Sequence, residues 1–167
     1  MAPHDPRNPP KKYREIYYKD RPPLPKNFLP EHPFQNAPQA TSGRDEGLAP
    51  WPRTKEMISD QLCEYYGLVT HLDNQVGRVL TALQTSGHAD NTIVVLWGDH
   101  GWHLGDHDLW HKHTNFEEAT RAPLIIAGPG IKSGKTNSLT EFVDVFPTIC
   151  DLAGVTIPKN LDGKSLK

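Results

Sequence analysis

A continuous run of apolar, largely β-branched residues at positions 92–97 constrains the fold more than any other feature of the sequence. Such a run is typical of a strand that is buried on both faces, as in a parallel sheet. A second apolar run at 123–127, closed by a Gly-Pro-Gly sequence, predicts another short strand. Because buried strands need helices to cover them, the sequence predicts an α/β fold.

A long amphipathic helix is expected before the first strand. Apolar residues recur at steps of four and three from Ile58 to Leu83, which predicts a helix over about 55–85. A shorter helix is expected over 142–153. These helices and two strands cannot cover one another's apolar faces, so we expect the chain to be one end of a larger domain with a mainly parallel sheet flanked by helices.

The first 52 residues differ in composition because they contain twelve of the sixteen prolines. Proline removes backbone donors and fixes φ, so neither a helix nor a strand ladder is expected to persist there. Aromatic side chains in the same segment favour an extended chain that wraps on a larger body over a disordered tail. They are Tyr13, Tyr17, Tyr18, Phe28, Phe34 and Trp51. We therefore expect a Pro-rich extended segment at 1–52, followed by an α/β part at 53–167.

Charge and composition exclude several function classes. The net charge of -2 and the pI near 6.5 provide no basic field for nucleic acid. No run of 18 apolar residues predicts a membrane span, and the opening residues lack the apolar core of a signal peptide. Cys63 and Cys150 lie in apolar patterns, so they are expected to be buried thiols rather than a disulfide framework.

Candidate chemistry is concentrated in the loop that follows the first strand, at 98–113. Asp99 and His100, flanked by glycines, come directly after the strand, where open α/β sheets bind ligands. A carboxylate oxygen suits a hard cation and imidazole is tolerated beside it, so this pair predicts two metal ligands. The alternative is an Asx-turn followed by a solvated histidine.

The histidines of this loop allow a rival metal site. They are His100, His103, His107 and His111. Their steps of three, four and four match ligand spacing on a helix, and imidazole suits zinc. Gly101 and Gly105 would lie inside that helix and weaken it, so the histidine-only zinc site is the less favoured interpretation.

Lys112 lies in the same loop as the candidate metal ligands Asp99 and His100, beside His111 and His113. An ammonium group donates three hydrogen bonds and can hold a tetrahedral oxyanion. The alternative is an ordinary solvated lysine, and the neighbouring candidate site favours the anion-binding interpretation.

With these residues the sequence resembles the type I sulfatases of the alkaline phosphatase superfamily, and most closely the group that includes iduronate-2-sulfatase. The similar segments cover almost the whole chain, and together they are specific although none is alone. They are Pro-His-x-Pro at 3–6, the helix at 65–80, Trp-Gly-Asp-His-Gly-Trp-His at 97–103, Trp-His-Lys at 110–112, Asn-Phe-Glu-Glu-Ala-Thr-Arg at 115–121, and the closing motifs at 141–154 and 161–166.

The resemblance implies an enzyme that hydrolyses sulfate esters of small molecules or carbohydrates, with Ca²⁺ as its metal. Asp99 and His100 match calcium ligands of the family. Lys112 and His4 match residues that face the sulfate, and His4 is also a candidate acid for the departing alcohol. For an intact member of the family the resemblance implies a periplasmic or secreted location.

Two further pocket residues are expected from the same loop. Trp102 and His103 are candidates for lining the substrate pocket, with loop packing as an equal alternative. No role is predicted for His107, His111 or His113.

The sequence departs from the family at the nucleophile. Members use a formylglycine made from Cys or Ser in a Cys/Ser-x-Pro-x-Arg motif, which neither cysteine nor any serine of this chain matches. An early Asp-Asp pair that completes the calcium site is also absent. Both elements precede Pro-His-x-Pro in the family, so we expect a partial chain that is inactive alone. The alternatives are a phosphoesterase of the same superfold and a non-catalytic anion-binding or decayed fragment.

Overall fold

A computed structural model describes residues 2–30, 48–49 and 53–167. The helices and strands within these ranges are α1 (Lys11–Lys19), α2 (Lys55–Thr85), β1 (Val94–Trp97), α3 (Glu117–Thr120), β2 (Leu124–Ala127) and α4 (Val145–Leu152). The chain divides into two units, one formed by 1–83 and 100–122 and the other by 84–99 and 123–167. None of the described helices is both long enough and apolar enough to cross a bilayer.

The predicted long helix is confirmed as α2. The Thr54 hydroxyl accepts a hydrogen bond from the Met57 amide at its start, and Gly87 adopts a φ of 76° just after its end. The first half of α2 is buried at positions such as Ile58 and Leu62, whereas the second half leaves apolar side chains exposed. The exposed residues include Leu72, Val79 and Leu80. This half of the helix therefore lacks cover among the described residues, as expected for part of a larger domain.

The Pro-rich segment contains a helix, so the prediction that none persists there is wrong. Helix α1, Lys11–Lys19, lies within the stretch 11–21, which separates Pro10 from Pro22 and contains no proline. Pro10 stands at the N-cap of α1, where its missing N–H costs nothing. The composition of the whole segment concealed this local pattern.

Tyrosine hydroxyls attach α1 to α2, which agrees with the wrapped arrangement. They pair as Tyr13 with Asn74 at 3.0 Å, Tyr17 with Thr70 at 2.6 Å and Tyr18 with Glu64 at 3.0 Å. Phe28 packs on the apolar core, while Phe34 and Trp51 lie outside the described residues. The division of the chain at residue 52 stays a prediction.

The core of the first unit is built on the first half of α2. Its fully buried members are Ala49, Ile58, Leu62 and Trp110. The free thiols Cys63 and Cys150 are also buried, each within its own unit, as the sequence predicted.

A buried ion pair fixes the loop after β1 to the start of α2. The Arg53 guanidinium donates to the carbonyl of Ala49 at 2.7 Å, and to both the carbonyl and the carboxylate of Asp108. Both side chains are buried almost completely. Burial lowers the pKa of Arg53 and the Asp108 carboxylate opposes that shift.

The second unit contains the two strands, which pair antiparallel with Val94 opposite Ala127 and Trp97 opposite Leu124. The parallel pairing that the apolar run suggested is therefore wrong for this pair. A continuous apolar run reports burial rather than strand direction, and here the chain re-enters the sheet at the end where it left it. A hydrogen bond of 3.0 Å from the Gly98 amide to the Pro123 carbonyl extends the ladder at that end.

The strands are also less buried than predicted, since Leu96, Trp97 and Ile125 are exposed.

The second predicted helix is confirmed as a turn of 3₁₀ helix, Phe142–Asp144, that continues into α4. Helices combined with a sheet confirm the predicted α/β class.

Candidate functional site

The turn after β1 brings the backbone close to α3. The Gly101 amide donates to the carbonyl of Ala119 at 2.7 Å, and a Cβ on Gly101 would meet the Glu118 carbonyl oxygen at 2.0 Å. Only glycine fits this approach. The turn therefore depends on the glycine that follows the predicted metal ligands.

Asp99 and His100 lie on either side of the division between the two units. Asp99 is exposed and His100 is half-buried. The His100 Nδ1 lies 2.7 Å from the Gly101 carbonyl oxygen, which can only accept, so Nδ1 carries the proton and the neutral ring has its lone pair on Nε2. This is the tautomer that a metal-ligating histidine needs, and an exposed carboxylate precedes it. The donor chemistry of the pair thus fits a hard cation that also accepts one imidazole.

The loop at 103–111 is not a helix. It folds back on itself through hydrogen bonds from the His103 amide to the His111 carbonyl at 2.9 Å and from the Gly105 amide to the Leu109 carbonyl at 3.0 Å. Among the described ranges, no three His, Cys, Asp or Glu side chains converge in a way that could hold a metal. The histidine-only zinc interpretation, which required helical spacing, is therefore wrong.

The histidines of this loop hold its shape. His103 is fully buried and pairs with the Thr114 hydroxyl at 2.8 Å, and burial lowers its pKa. The His107 ring lies 3.0 Å from the Asn27 amide nitrogen, and the His111 Nδ1 accepts a hydrogen bond from the His113 amide at 2.9 Å. His103 is fully buried while Trp102 is half-buried, and the place of both in a substrate pocket stays a prediction.

His4 and Lys112, which are 108 positions apart in the sequence, meet in the first unit. The Lys112 Nζ lies 3.5 Å from the His4 Nε2 and 5.4 Å from the centre of the Trp102 ring. The other nitrogen of His4, Nδ1, lies 3.1 Å from the Asp5 carbonyl oxygen and 2.9 Å from the Asp5 carboxylate. Since the ammonium group can only donate, His4 Nε2 is the acceptor and its Nδ1 carries the proton.

Arg7 is part of this cluster and was missed by the sequence analysis. Its guanidinium lies among three aromatic rings. The Arg7 Cζ is 4.7 Å from the centre of the Trp102 ring, 5.2 Å from that of Tyr65 and 5.3 Å from that of Trp110. Only 9% of Arg7 is exposed. Burial raises the pKa of Tyr65, and the positive charge of Arg7 opposes that shift. No spacing rule joins an arginine at position 7 to rings at 65, 102 and 110, so the sequence offered no signal for it.

The cluster of His4, Lys112, Trp102 and Arg7 brings the Lys112 ammonium group and the His4 imidazole together beside the Trp102 ring. Lys112 is half-buried while His4 is exposed, so a ligand can approach from the side of His4. A tetrahedral oxyanion at this point would accept hydrogen bonds from the ammonium group and from a protonated imidazole. The geometry suits recognition of a sulfate or phosphate ester.

Comparison with known proteins agrees with this chemistry. The Sulfatase family model matches residues 1–155. An arylsulfatase of Clostridium perfringens is 34% identical over 172 residues, which span the whole chain and 35% of that protein. The mouse (Mus musculus) iduronate 2-sulfatase is 38% identical over 120 residues, covering 56% of the chain and 22% of its own length.

A solved structure, the phosphonate monoester hydrolase from Silicibacter pomeroyi, matches with a TM-score of 0.86 and 36% identity. The match covers 99% of this chain and 35% of that one. The fold and these matches together define part of a domain of the alkaline-phosphatase-like type. The chain belongs to the sulfatase family, and it spans about a third or less of the length of these relatives.

Proposed function

We propose that this chain provides the sulfate-holding side of a sulfatase active site, and that the complete domain hydrolyses sulfate esters of carbohydrates. The observation that supports this most directly is the 3.5 Å approach of Lys112 Nζ to His4 Nε2 beside Trp102. The name of the iduronate 2-sulfatase relative supports a sulfated sugar as the substrate class.

Three residues of the cluster have distinct parts in the proposed reaction. Lys112 donates hydrogen bonds to sulfate oxygens and stabilises their charge in the transition state. His4 takes up a proton from solvent on Nε2 and delivers it to the oxygen of the departing alcohol, while its Nδ1–H stays directed at Asp5. Trp102 closes one side of the site and keeps water from the ammonium group.

Asp99 and His100 are the proposed calcium ligands of this chain. The ion, when bound, would offset negative charge on the sulfate. Since calcium takes 6–8 oxygen ligands, the site requires further ligands from outside this chain. The nucleophile must also come from outside it. We therefore expect the 167-residue chain alone to show no sulfatase turnover.

A phosphoesterase of the same superfold is the second candidate function. It is favoured by the phosphonate monoester hydrolase, whose structure matches over 99% of the chain. A lysine and a histidine that hold sulfate oxygens can also hold those of a phosphonate, so the cluster does not separate the two activities. Comparing the turnover of an aryl sulfate with that of an aryl phosphonate separates the two activities.

The test uses a completed enzyme, in which this chain replaces the matching segment of the C. perfringens arylsulfatase, 35% of its length. Lys112→Ala should lower kcat/KM for 4-nitrophenyl sulfate about 10²- to 10³-fold without changing calcium affinity. Asp99→Ala should instead raise the calcium concentration needed for half-maximal activity on the order of tenfold or more. Lys135→Ala, which changes an exposed lysine, is the control.

Two outcomes would contradict the proposal. One is a Lys112→Ala enzyme with the activity of the Lys135→Ala control. The other is an Asp99→Ala enzyme whose activity has the same calcium dependence as the parent. Preference for the phosphonate over the sulfate ester would favour the second candidate function.

A further inference from the structure

Arg7 joins three separate segments of the first unit, and the proposed reaction gives it no part. Its Nε donates a hydrogen bond of 3.3 Å to the Pro3 carbonyl oxygen. Its guanidinium packs against the ring of Tyr65 in α2 and against the rings of Trp102 and Trp110 in the loop that follows β1. Arg7 therefore ties the start of the chain both to α2 and to that loop.

His4 lies within the turn that this hydrogen bond closes. Its side chain is 38% exposed and it belongs to no helix or strand, so regular structure does not fix its position. An exposed side chain in a loop has several rotamers available, whereas a proton donor works only within hydrogen-bond reach of its acceptor. The bond from Arg7 to the Pro3 carbonyl limits the freedom of the backbone on which His4 is carried.

Trp102 provides a second link between Arg7 and His4. The Arg7 Cζ lies 4.7 Å from the centre of the Trp102 ring, and the His4 ring meets the same ring edge-on with centroids 6.5 Å apart. The Trp102 Nε1 is buried and makes no hydrogen bond with the described residues. Packing on neighbours such as Arg7 therefore sets the orientation of the ring beside which His4 lies.

The chemistry of these contacts favours arginine over lysine at position 7. A guanidinium is planar, so it stacks on aromatic rings and donates hydrogen bonds at the same time. An ammonium group lacks that plane and is more strongly hydrated, so it suits poorly a site where only 9% of the residue is exposed. Arg7→Lys thus keeps a positive charge and loses the geometry of the contact.

We propose that Arg7 is a positioning residue for the proposed reaction, which holds His4 where its Nε2 delivers a proton to the departing alcohol. Arg7 acts through the Pro3 carbonyl and the Trp102 ring and does not touch the substrate. This inference rests on the proposed function, since His4 is the acid of that reaction. Loss of Arg7 should therefore affect proton delivery more than sulfate binding.

The experiment compares two esters of similar shape in the completed enzyme, phenyl sulfate and 4-nitrophenyl sulfate. Phenol is a weaker acid than 4-nitrophenol, so its departure depends more on the proton that His4 supplies. Arg7→Lys should lower kcat about 10- to 100-fold for phenyl sulfate and about threefold or less for 4-nitrophenyl sulfate. KM for both esters should stay within about twofold, because ground-state binding is retained.

Two further variants separate positioning from damage to the fold. Arg21→Lys is the matched control, because Arg21 also lies over an aromatic ring, 5.0 Å from the centre of Tyr18, and donates to Asp60. It should change kcat for neither ester. In a His4→Ala enzyme, Arg7→Lys should cost less than about twofold with phenyl sulfate, because a positioning residue has no effect once the residue it positions is gone.

Three outcomes would overturn the inference while leaving the proposed function intact. One is a loss on 4-nitrophenyl sulfate as large as that on phenyl sulfate, which would assign the effect to sulfate binding or to the fold. The second is no loss on either ester. The third is an undiminished loss from Arg7→Lys in the His4→Ala enzyme.

If the completed enzyme turns over neither ester, the proposed function fails, and the place of His4 is measured in the 167-residue chain by NMR. The ring protons of His4 should show a ring-current shift from Trp102, since the two rings are in contact edge-on. Arg7→Lys should reduce this shift, and Arg21→Lys should leave it unchanged. The same His4 shift in the parent chain and in Arg7→Lys would overturn the inference.

Discussion

Ile58, Leu62 and Trp110 in the first unit are almost completely buried, whereas Trp97, Ile125 and Phe146 in the second are about half exposed. Both sets are large and apolar, so hydrophobicity does not separate them. The first unit adds the segments 2–30 and 100–122 to one helix, while the second has two strands and a short helix. The comparison shows that burial here depends on how many neighbouring segments are available, and local stability should follow burial.

The largest expected effect comes from breaking the buried ion pair of the first unit. Asp108→Ala removes the carboxylate that pairs with the buried Arg53 guanidinium, which costs about 3–5 kcal/mol. Amide hydrogen exchange of the chain should show this loss across the first half of α2. Asp162→Ala, an exposed carboxylate of the second unit, should change protection by less than about 0.5 kcal/mol. A loss below about 1 kcal/mol for Asp108→Ala would mean that the first unit is as open as the second.

Matched truncations give the next effect. Leu62 is 2% exposed, so Leu62→Ala should cost about 2–5 kcal/mol, whereas Ile125, at 58% exposed, should cost less than about 1 kcal/mol when truncated. Hydrogen exchange or denaturant unfolding of the 167-residue chain measures both.

Repeating the truncations in the completed enzyme sharpens the comparison. If the rest of the domain covers the sheet, the cost of Ile125→Ala should rise toward that of Leu62→Ala. An equal cost for the two variants in the isolated chain would break the comparison, because it would require the strand face to be covered already.

The fold could be predicted furthest where one local pattern acts alone. The period of α2 fixed its two ends, and the apolar runs at 92–97 and 123–127 located both strands within two residues. Helix α1 was missed because proline content was averaged over 52 residues, although no proline falls between Pro10 and Pro22. Strand direction was wrong because it depends on where the connection returns, which no periodicity records.

The site was predicted only in part. Lys112 was predicted to bind an anion from its place in the loop, whereas His4 was assigned only through the resemblance, because no spacing joins residues that far apart in the sequence. Arg7 and the Arg53–Asp108 pair had no signal at all, since an isolated arginine is ordinarily a surface residue. His103 is buried because the loop at 103–111 folds back on itself. The glycine and histidine content of the loop does not predict this conformation.

The smallest expected effect is a pH dependence confined to the first unit. Burial lowers the pKa of His103 below the ordinary 6.5, so below that pH the unfolded chain binds a proton that the folded chain does not. Stability from this residue should be complete above about pH 6.5 and should fall as pH drops through the lowered pKa of the folded state. Denaturant unfolding at several pH values measures it.

Two histidine variants separate His103 from the other titrating groups. His103→Gln should flatten the fall in stability below pH 6.5, while His88→Gln, which changes an exposed histidine of the second unit, should leave it unchanged. The same slope in both variants would assign the pH dependence to other groups.

The arginine held among aromatic rings also gives the chain an internal optical reporter. Trp102 and Trp110 lie near the Arg7 charge in a shielded environment, whereas Trp97 is 49% exposed to water. Indole emission shifts to longer wavelength as water gains access. The tryptophans of the two units should therefore differ in emission wavelength as well as in burial. Trp97→Phe would remove the signal of the sheet, and with Trp51 also replaced by phenylalanine the remaining fluorescence would follow the surroundings of Arg7.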